Sequence, residues 1–186
     1  MRIIGGALRG RRITGPASDA TRPMVDRIRQ ALFNVLEHRD FGLERRGVDG
    51  ARVLDAFCGT GALAYEALSR GAASATLMDI DAGAIQVAKD NAKALGLTDR
   101  TKVVKANATS PPAQASPHDL VLLSPPYYKN LLLPALEALS RTGWIANDAL
   151  IVGHVGELEH FTFPDSFELH HERVYGDSRF YFLTRR

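Results

Sequence analysis

The sequence predicts an α/β fold: a mostly parallel sheet with helices on both faces, closed by an antiparallel strand pair. Three observations predict it. From residue 51 onward, short aliphatic runs alternate with helical stretches, as in the crossover units of a parallel sheet. Two strand-like stretches then follow each other near residue 176 with no helix between them, which suits an antiparallel pair. The chain has 186 residues, 45% hydrophobic and 24% charged, enough for one sizeable soluble domain with a small appendage.

Taken in order, residues 1–20 set Gly5, Gly6, Gly10, Gly15 and Pro16 among short apolar pairs, which reads as a short hairpin or extended arm. Residues 21–38, TRPMVDRIRQALFNVLEH, read as a helix. Thr21 or Arg22 precedes Pro23, a residue favoured in a first helical turn. Val25, Ile28, Leu32, Val35 and Leu36 recur at helical spacing, so an apolar side should lie on the main domain. Residues 39–50 form a charged, glycine-containing linker. The expected division is an N-terminal extension, residues 1–40, packed on a core domain, residues 41–186.

In the core, ARVLDAF (51–57) is a buried strand and residues 60–70 a helix. SATLMDI (74–80) is a second strand, followed by a helix over 82–96 that stops near Gly96. TKVVKA (101–106) and DLVLLS (119–124) are the third and fourth strands, joined by a polar loop around residues 110–118. Residues 130–141 are helical, ALIVGHV (149–155) is a fifth strand, and SFELHHERVYG and SRFYFLT form the closing pair. Seven strands result.

No apolar run is long enough to span a bilayer, and no apolar signal core follows the basic N-terminus. Cys58 is the single cysteine, which fits a reducing compartment. A cytoplasmic protein is expected, and no long apolar surface pattern demands a dimer, so a monomer is expected too. The six histidines show no metal-ligand spacing, and no metal site is expected.

Net charge is only +2, but it is uneven. Residues 1–30 hold Arg2, Arg9, Arg11, Arg12, Arg22, Arg27 and Arg29 against Asp19 and Asp26. Arginine's planar fork suits phosphates and stacks on bases. The segment therefore reads as a nucleic-acid-binding face, the other reading being a solvated surface.

In a sheet of this type, ligands bind beyond the carboxyl ends of the strands. Asp55–Phe57, Asp79–Ile80, Asn107–Ala108 and Ser124 all fall there. Gly59 and Gly61 stand where the first strand turns into a helix and let backbone approach a ligand. Asp79 can grip the two hydroxyls of a ribose. Gly59-x-Gly61-x-x-Ala64 also satisfies the loose dinucleotide form. Two features favour a cationic ligand instead. The charge of Asp55 would oppose a pyrophosphate, and no second domain exists to carry a hydride acceptor. S-adenosylmethionine, a sulfonium without phosphate, fits better. Asn107 either accepts from the adenine amino group or caps a turn.

Ser124-Pro125-Pro126-Tyr127 matches the (D/N/S)-P-P-(Y/F/W) motif of methyltransferases that act on exocyclic base amines. With DAFCGTGALAYEALSRGA, RIIGGALRGRRI and TRPMVDRIRQALFNVL, the chain resembles the RsmD family. The resemblance implies a Rossmann-like S-adenosylmethionine-dependent methyltransferase fold and methylation of a guanine N2 amine in small-subunit ribosomal RNA, the substrate being an assembling subunit. Asp55, Phe57, Gly59 and Gly61 then belong to the cofactor loop. Asp79 with Ile80 takes the ribose side, and Asn107 with Ala108 the adenine edge. Ser124, Pro125, Pro126 and Tyr127 form the catalytic loop, and Arg2, Arg9, Arg11, Arg12 and Arg22 contact RNA. Three positions depart from the family pattern: Ser124 and Asn107, where aspartate is usual, and Met24, where a second threonine is usual. Serine in this motif also occurs in DNA cytosine-N4 methyltransferases. Cytosine N4 in DNA or RNA is thus the alternative target, and an RNA-binding protein that keeps the cofactor without turnover is a third reading.

The chemistry explains the residue types. An exocyclic amine gives its lone pair to the ring and is a poor nucleophile. A side-chain oxygen and a proline carbonyl can each accept one amine hydrogen, which frees the lone pair for the methyl group. The prolines hold those acceptors still, and Tyr127 offers a face for the base to stack on.

Overall fold

The computed structural model describes residues 1–15, 24–44 and 47–186. Seven strands make one sheet: β1 (Arg52–Ala56), β2 (Ser74–Asp79), β3 (Thr101–Lys105), β4 (His118–Leu123), β5 (Ile145–Gly156), β6 (Phe167–Tyr175) and β7 (Ser178–Arg185). Their order is β3-β2-β1-β4-β5-β7-β6. β3, β2, β1, β4 and β5 are mutually parallel. β7 runs antiparallel between β5 and β6, so the closing pair is as expected. Chain order reverses between β1 and β4. That reversal opens a crevice at their carboxyl ends.

Side-chain alternation sorts the sheet residues into two cores. Val53, Leu77, Leu120, Leu122 and Phe182 face α1 (Asp26–His38), α2 (Ala62–Ser69) and α3 (Ala82–Leu95). Leu54, Met78, Val121, Leu123 and Ile151 face α4 (Leu132–Arg141), with Phe161 and Phe163 beside it. α1 buries Ile28, Leu32, Phe33 and Leu36, each contributing about 1.5–3 kcal/mol. α3 starts on Asp81, whose side chain accepts from Ala84 N–H (2.7 Å), and stops at Gly96 in the left-handed region (φ 72°).

Most boundaries shift by a residue or two from the sequence reading, and three of the differences are informative. β1 ends at Ala56, because Phe57 turns into the left-handed region (φ 64°). β5 begins at Ile145 rather than residue 149, since Ile145 pairs with His118 before an irregularity in the ladder. The helix at the N-terminal side is described from Asp26 on, and Thr21, Arg22 and Pro23 lie outside the described residues.

The expected hairpin is a single antiparallel bridge, Arg2 to Arg12, with Ile3 N–H donating to Arg11 O (2.9 Å). It is held on α2 through a buried carboxylate. Glu66 accepts from the N–H groups of Ile4 and Gly5 (2.8 Å each) and from Arg70 Nε (2.8 Å), and its Oε2 lies 3.7 Å from Arg29 Nε. Arg29 also donates to Arg2 O (2.7 Å). Arg29 is 1% exposed. The expectation that it belongs to a basic surface is therefore corrected: it sits on the inner side of α1, balanced by Glu66. Past the bridge, Thr14 N–H donates to Asn91 Oδ1 (2.8 Å), and Asn91 Nδ2 donates to Thr60 O (3.0 Å). The arm thus runs from the end of α2 back toward the loop that follows β1.

Candidate active site

The β1–α2 loop is built by local turns. Cys58 N–H donates to Met78 O (3.0 Å), and Gly61 N–H donates to Cys58 O (2.8 Å). Gly61 has φ 79°, and a Cβ there would lie 2.5 Å from both Leu77 and Tyr65. Its need for glycine is internal packing, not ligand approach. Gly59 (φ 52°) is the opposite case: a Cβ there would meet nothing within 4 Å, so this corner faces open space. Asp79, at the end of β2, accepts from Gly59 N–H and Asp81 N–H (2.9 Å each). Each carboxylate oxygen keeps a second lone pair. Ile80 beside it is 62% exposed.

Asp55 is turned inward, accepting from Ala64 N–H at the start of α2 (3.1 Å). Burial pushes its pKa up to about 8, the Ala64 hydrogen bond opposes this, and the Asp79 charge adds to it. Burial favours the neutral carboxyl, and a cation bound beside it would draw the pKa back down. Burial likewise pushes the Cys58 thiol up, so it is no nucleophile. Asn107 Oδ1 accepts from both Thr109 N–H (2.9 Å) and Thr109 Oγ1 (2.8 Å). Both its lone pairs serve the turn, the second of the two roles open to it. Ala108 is buried at the same strand end.

Ser124 follows β4, with its N–H donating to Ala56 O (3.3 Å), next to the β1 loop. Its Oγ is buried and has no partner. An orphaned buried hydroxyl is costly and marks a place where a ligand can bond. Pro125 is buried, Pro126 is exposed, and Tyr127 is half-buried. The Tyr127 hydroxyl lies 2.6 Å from His154 Nε2 and 2.8 Å from Ser178 Oγ. Tyr128 is 57% exposed and held at φ 58°. Its ring crosses Gly156, where a Cβ would lie 2.6 Å from Cζ.

Tyr128, His154 and Ser178 were missed by sequence reasoning. The doubled tyrosine and a histidine inside the apolar run ALIVGHV were available as signals; nothing singled out Ser178. Of the five arginines expected to touch RNA, Arg2, Arg9, Arg11 and Arg12 are all exposed. Arg2 pairs with Asp26 (3.2 Å), Arg11 donates to Ala94 O (2.6 Å), and Arg22 lies outside the described residues.

Among the described residues no group of three or more His, Cys, Asp or Glu is placed to hold a metal ion, and no helix is long and apolar enough to cross a membrane.

The strand order, the reversal at β1 and β4, and the loops meeting there define a Rossmann-like α/β methyltransferase. The chain belongs to the RsmD family, matching the family described as Conserved hypothetical protein 95 over residues 1–184. It is 40% identical over 179 residues to Ribosomal RNA small subunit methyltransferase D of Escherichia coli K12, spanning 95% of this chain and 85% of that one. To the Haemophilus influenzae protein of the same name it is 30% identical, over 95% of this chain and 89% of that one. The solved structure of Escherichia coli yhhF, provisionally described as a methyltransferase, superposes with a TM-score of 0.82 at 36% identity, covering 100% of this chain and 98% of that one. Such a family implies S-adenosylmethionine as the cofactor.

Proposed function

We propose that the protein transfers a methyl group from S-adenosylmethionine to the exocyclic N2 amine of a guanine in small-subunit ribosomal RNA. The observation that carries this reading is the buried, unpartnered Ser124 Oγ at the carboxyl end of β4, beside the open corner at Gly59. Asp79 would hold the ribose hydroxyls with its remaining lone pairs, and the exposed Ile80 would cover one face of the adenine. Ala108, with Asn107 Nδ2, would line the adenine edge, while Phe57 and Asp55 shape the loop. When bound, the cofactor supplies an electrophilic methyl group on a sulfonium. Ser124 Oγ accepts one amine hydrogen and the Pro125 carbonyl the other, so the nitrogen turns its lone pair toward that methyl. Pro126 stiffens the loop. Tyr127, fixed by its hydroxyl, forms a wall for the base, and a paired base must first be turned out of its stack.

The exposed Arg2, Arg9, Arg11 and Arg12 support residues 1–40 as an RNA-contacting extension on the 41–186 core. A monomeric cytoplasmic enzyme acting on an assembling small subunit completes the reading. A tritiated-methyl assay on naked rRNA, assembling subunits and duplex DNA tests it. Label in guanine N2 of rRNA is expected. Label in cytosine of DNA, or cofactor binding with no transfer, overturns it.

A further inference from the structure

An open groove of about 700 Å³ lies between the last turns of α1 and the outer strand β6. Arg39 and Arg173 stand on its two sides with His38 and His171 between, and Asp40 is the acid among its lining residues. Buried rings of the core lie beneath the lining residues. The Arg39 guanidinium lies 6.0 Å from the Phe41 ring, Phe41 stacks on Phe182 at 5.6 Å, and His171 tilts over Phe182 at 5.7 Å. Burial lowers the pKa of His171, and the charges of Arg39 and then Arg173 lower it further. The two arginines therefore act on one spot.

Packed core rings connect one of the groove's lining residues to the Ser124–Tyr127 loop. Tyr175 meets Phe180 edge-on at 6.1 Å. Phe180 stacks on His154 at 4.6 Å, and His154 meets Tyr127 at 5.3 Å. Tyr175 also pairs in register with Ser178, the residue bonded to the Tyr127 hydroxyl. Arg2, by contrast, is tied to Asp26 in the first turn of α1. The 13 residues of α1 span about 20 Å, so the two basic patches stand at opposite ends of one helix.

A site for a small anion would enclose it with buried donors. This groove is open, and its arginines stand at its rim, which suits a polyanion whose phosphates follow one another along it. Guanidinium forks match phosphate geometry. We propose that the groove binds the phosphate backbone of the RNA strand flanking the target nucleotide, a contact surface separate from the N-terminal arginines. This rests on the rRNA methyltransferase reading above.

The test is the double variant Arg39→Ala/Arg173→Ala, with Arg141→Ala on α4, across the sheet, as the control. Binding of a single-stranded rRNA fragment is followed against salt, with methylation kinetics and cofactor affinity alongside. The double variant should lose about 0.7–0.9 in log–log salt slope per contact. Its KM for rRNA should rise on the order of tenfold through the lost phosphate contacts, with kcat and cofactor affinity held. Arg39→Lys/Arg173→Lys should recover part of the loss, since the charge stays. An unchanged slope and KM in an active double variant overturns the groove and leaves the methyltransferase reading standing. A loss seen only with assembled subunits, never with naked RNA, also overturns it, because a protein partner is then being read. Wild-type protein that binds cofactor but neither binds nor methylates RNA overturns both.

Discussion

The Tyr127 hydroxyl sits 2.6 Å from Nε2 of His154, a histidine buried inside the sheet. Nδ1 of that ring is buried without a partner. A bare lone pair costs less than a bare N–H, so Nε2 carries the proton and donates to Tyr127, and Tyr127 in turn donates to Ser178 Oγ. The Ser124–Tyr127 loop is thereby pinned to β5 and β7 through its aromatic residue.

Tyr127→Phe should leave the His154 N–H without its acceptor and lower stability by about 1–3 kcal/mol. Cofactor affinity should hold, while single-turnover methylation slows as the loop loosens. There is a pH signature too. Burial lowers the pKa of His154 from 6.5 to about 4, with Asp177 opposing. Between those values the unfolded chain binds the proton and the folded one does not, so stability present above pH 6.5 drains away as pH falls toward 4. The loss is about 3 kcal/mol. Chemical denaturation across this range should show it, and His154→Phe should flatten that part of the curve. An equally steep acid loss in His154→Phe would assign it elsewhere.

Glu66 gives the second prediction. It is fully buried and holds two backbone N–H groups and two arginines. Glu66→Ala should destabilise by about 3–5 kcal/mol, because it leaves two backbone N–H groups without their acceptor and takes a buried carboxylate from Arg29 and Arg70, which then keep Asp26 and Glu37 as counter-charges. Hydrogen exchange at the Ile4 and Gly5 amides should accelerate well beyond the global change, reporting release of the arm. Amides that stay as protected as the rest of the core would show that the arm is held by other contacts.

Much of this fold could be read from local pattern, and the exceptions have physical causes. β1, β2 and β4 are near-continuous apolar runs because both their faces are covered. The start of β5 was hidden because Asn147 and Asp148 interrupt the apolar run while the strand continues through them. Arg29 read as surface because only the folded chain brings α2, with Glu66 as a second counter-charge beside Asp26, over that side of α1. Asp55 and Asp79 were both visible at strand ends, yet only the folded chain turns one inward to a helix start and leaves the other at the crevice. The Ser-Pro-Pro-Tyr loop was legible as a motif. The residues that brace it come from β5 and β7, whose adjacency no local spacing encodes.

Asp79 carries the third prediction. Asp79→Ala should weaken S-adenosylmethionine binding by about 1.5–3 kcal/mol, the range for hydrogen bonds to a charged group. It also frees the Gly59 and Asp81 amides, so Asp79→Asn should fall between wild type and alanine. Isothermal calorimetry decides. Unchanged affinity in Asp79→Ala, or tighter binding of NAD than of S-adenosylmethionine, removes the assignment.

Ser124 carries the last. Its Oγ is buried and unpartnered, so removing it from the free protein costs little stability; Ser124→Ala should melt close to wild type. Turnover should fall by about 1–2 kcal/mol of barrier, since one neutral acceptor is lost while the Pro125 carbonyl remains. Cofactor affinity should barely move, because the contact is made to the base. Ser124→Asp restores the acceptor usual in the family. A carboxylate bonds more strongly to an amine whose nitrogen gains positive charge in the transition state, so this variant should match or exceed wild type on the same nucleotide. Two terms oppose that gain: the added negative charge repels RNA phosphate, and a larger carboxylate must fit where the buried Ser124 Oγ sits. Single-turnover rates at saturating RNA separate them, because repulsion raises KM whereas a better acceptor raises the rate itself. Wild-type turnover in Ser124→Ala would reduce Ser124 to part of a turn. Transfer of label from guanine to another base in Ser124→Asp would make the serine the residue that sets specificity.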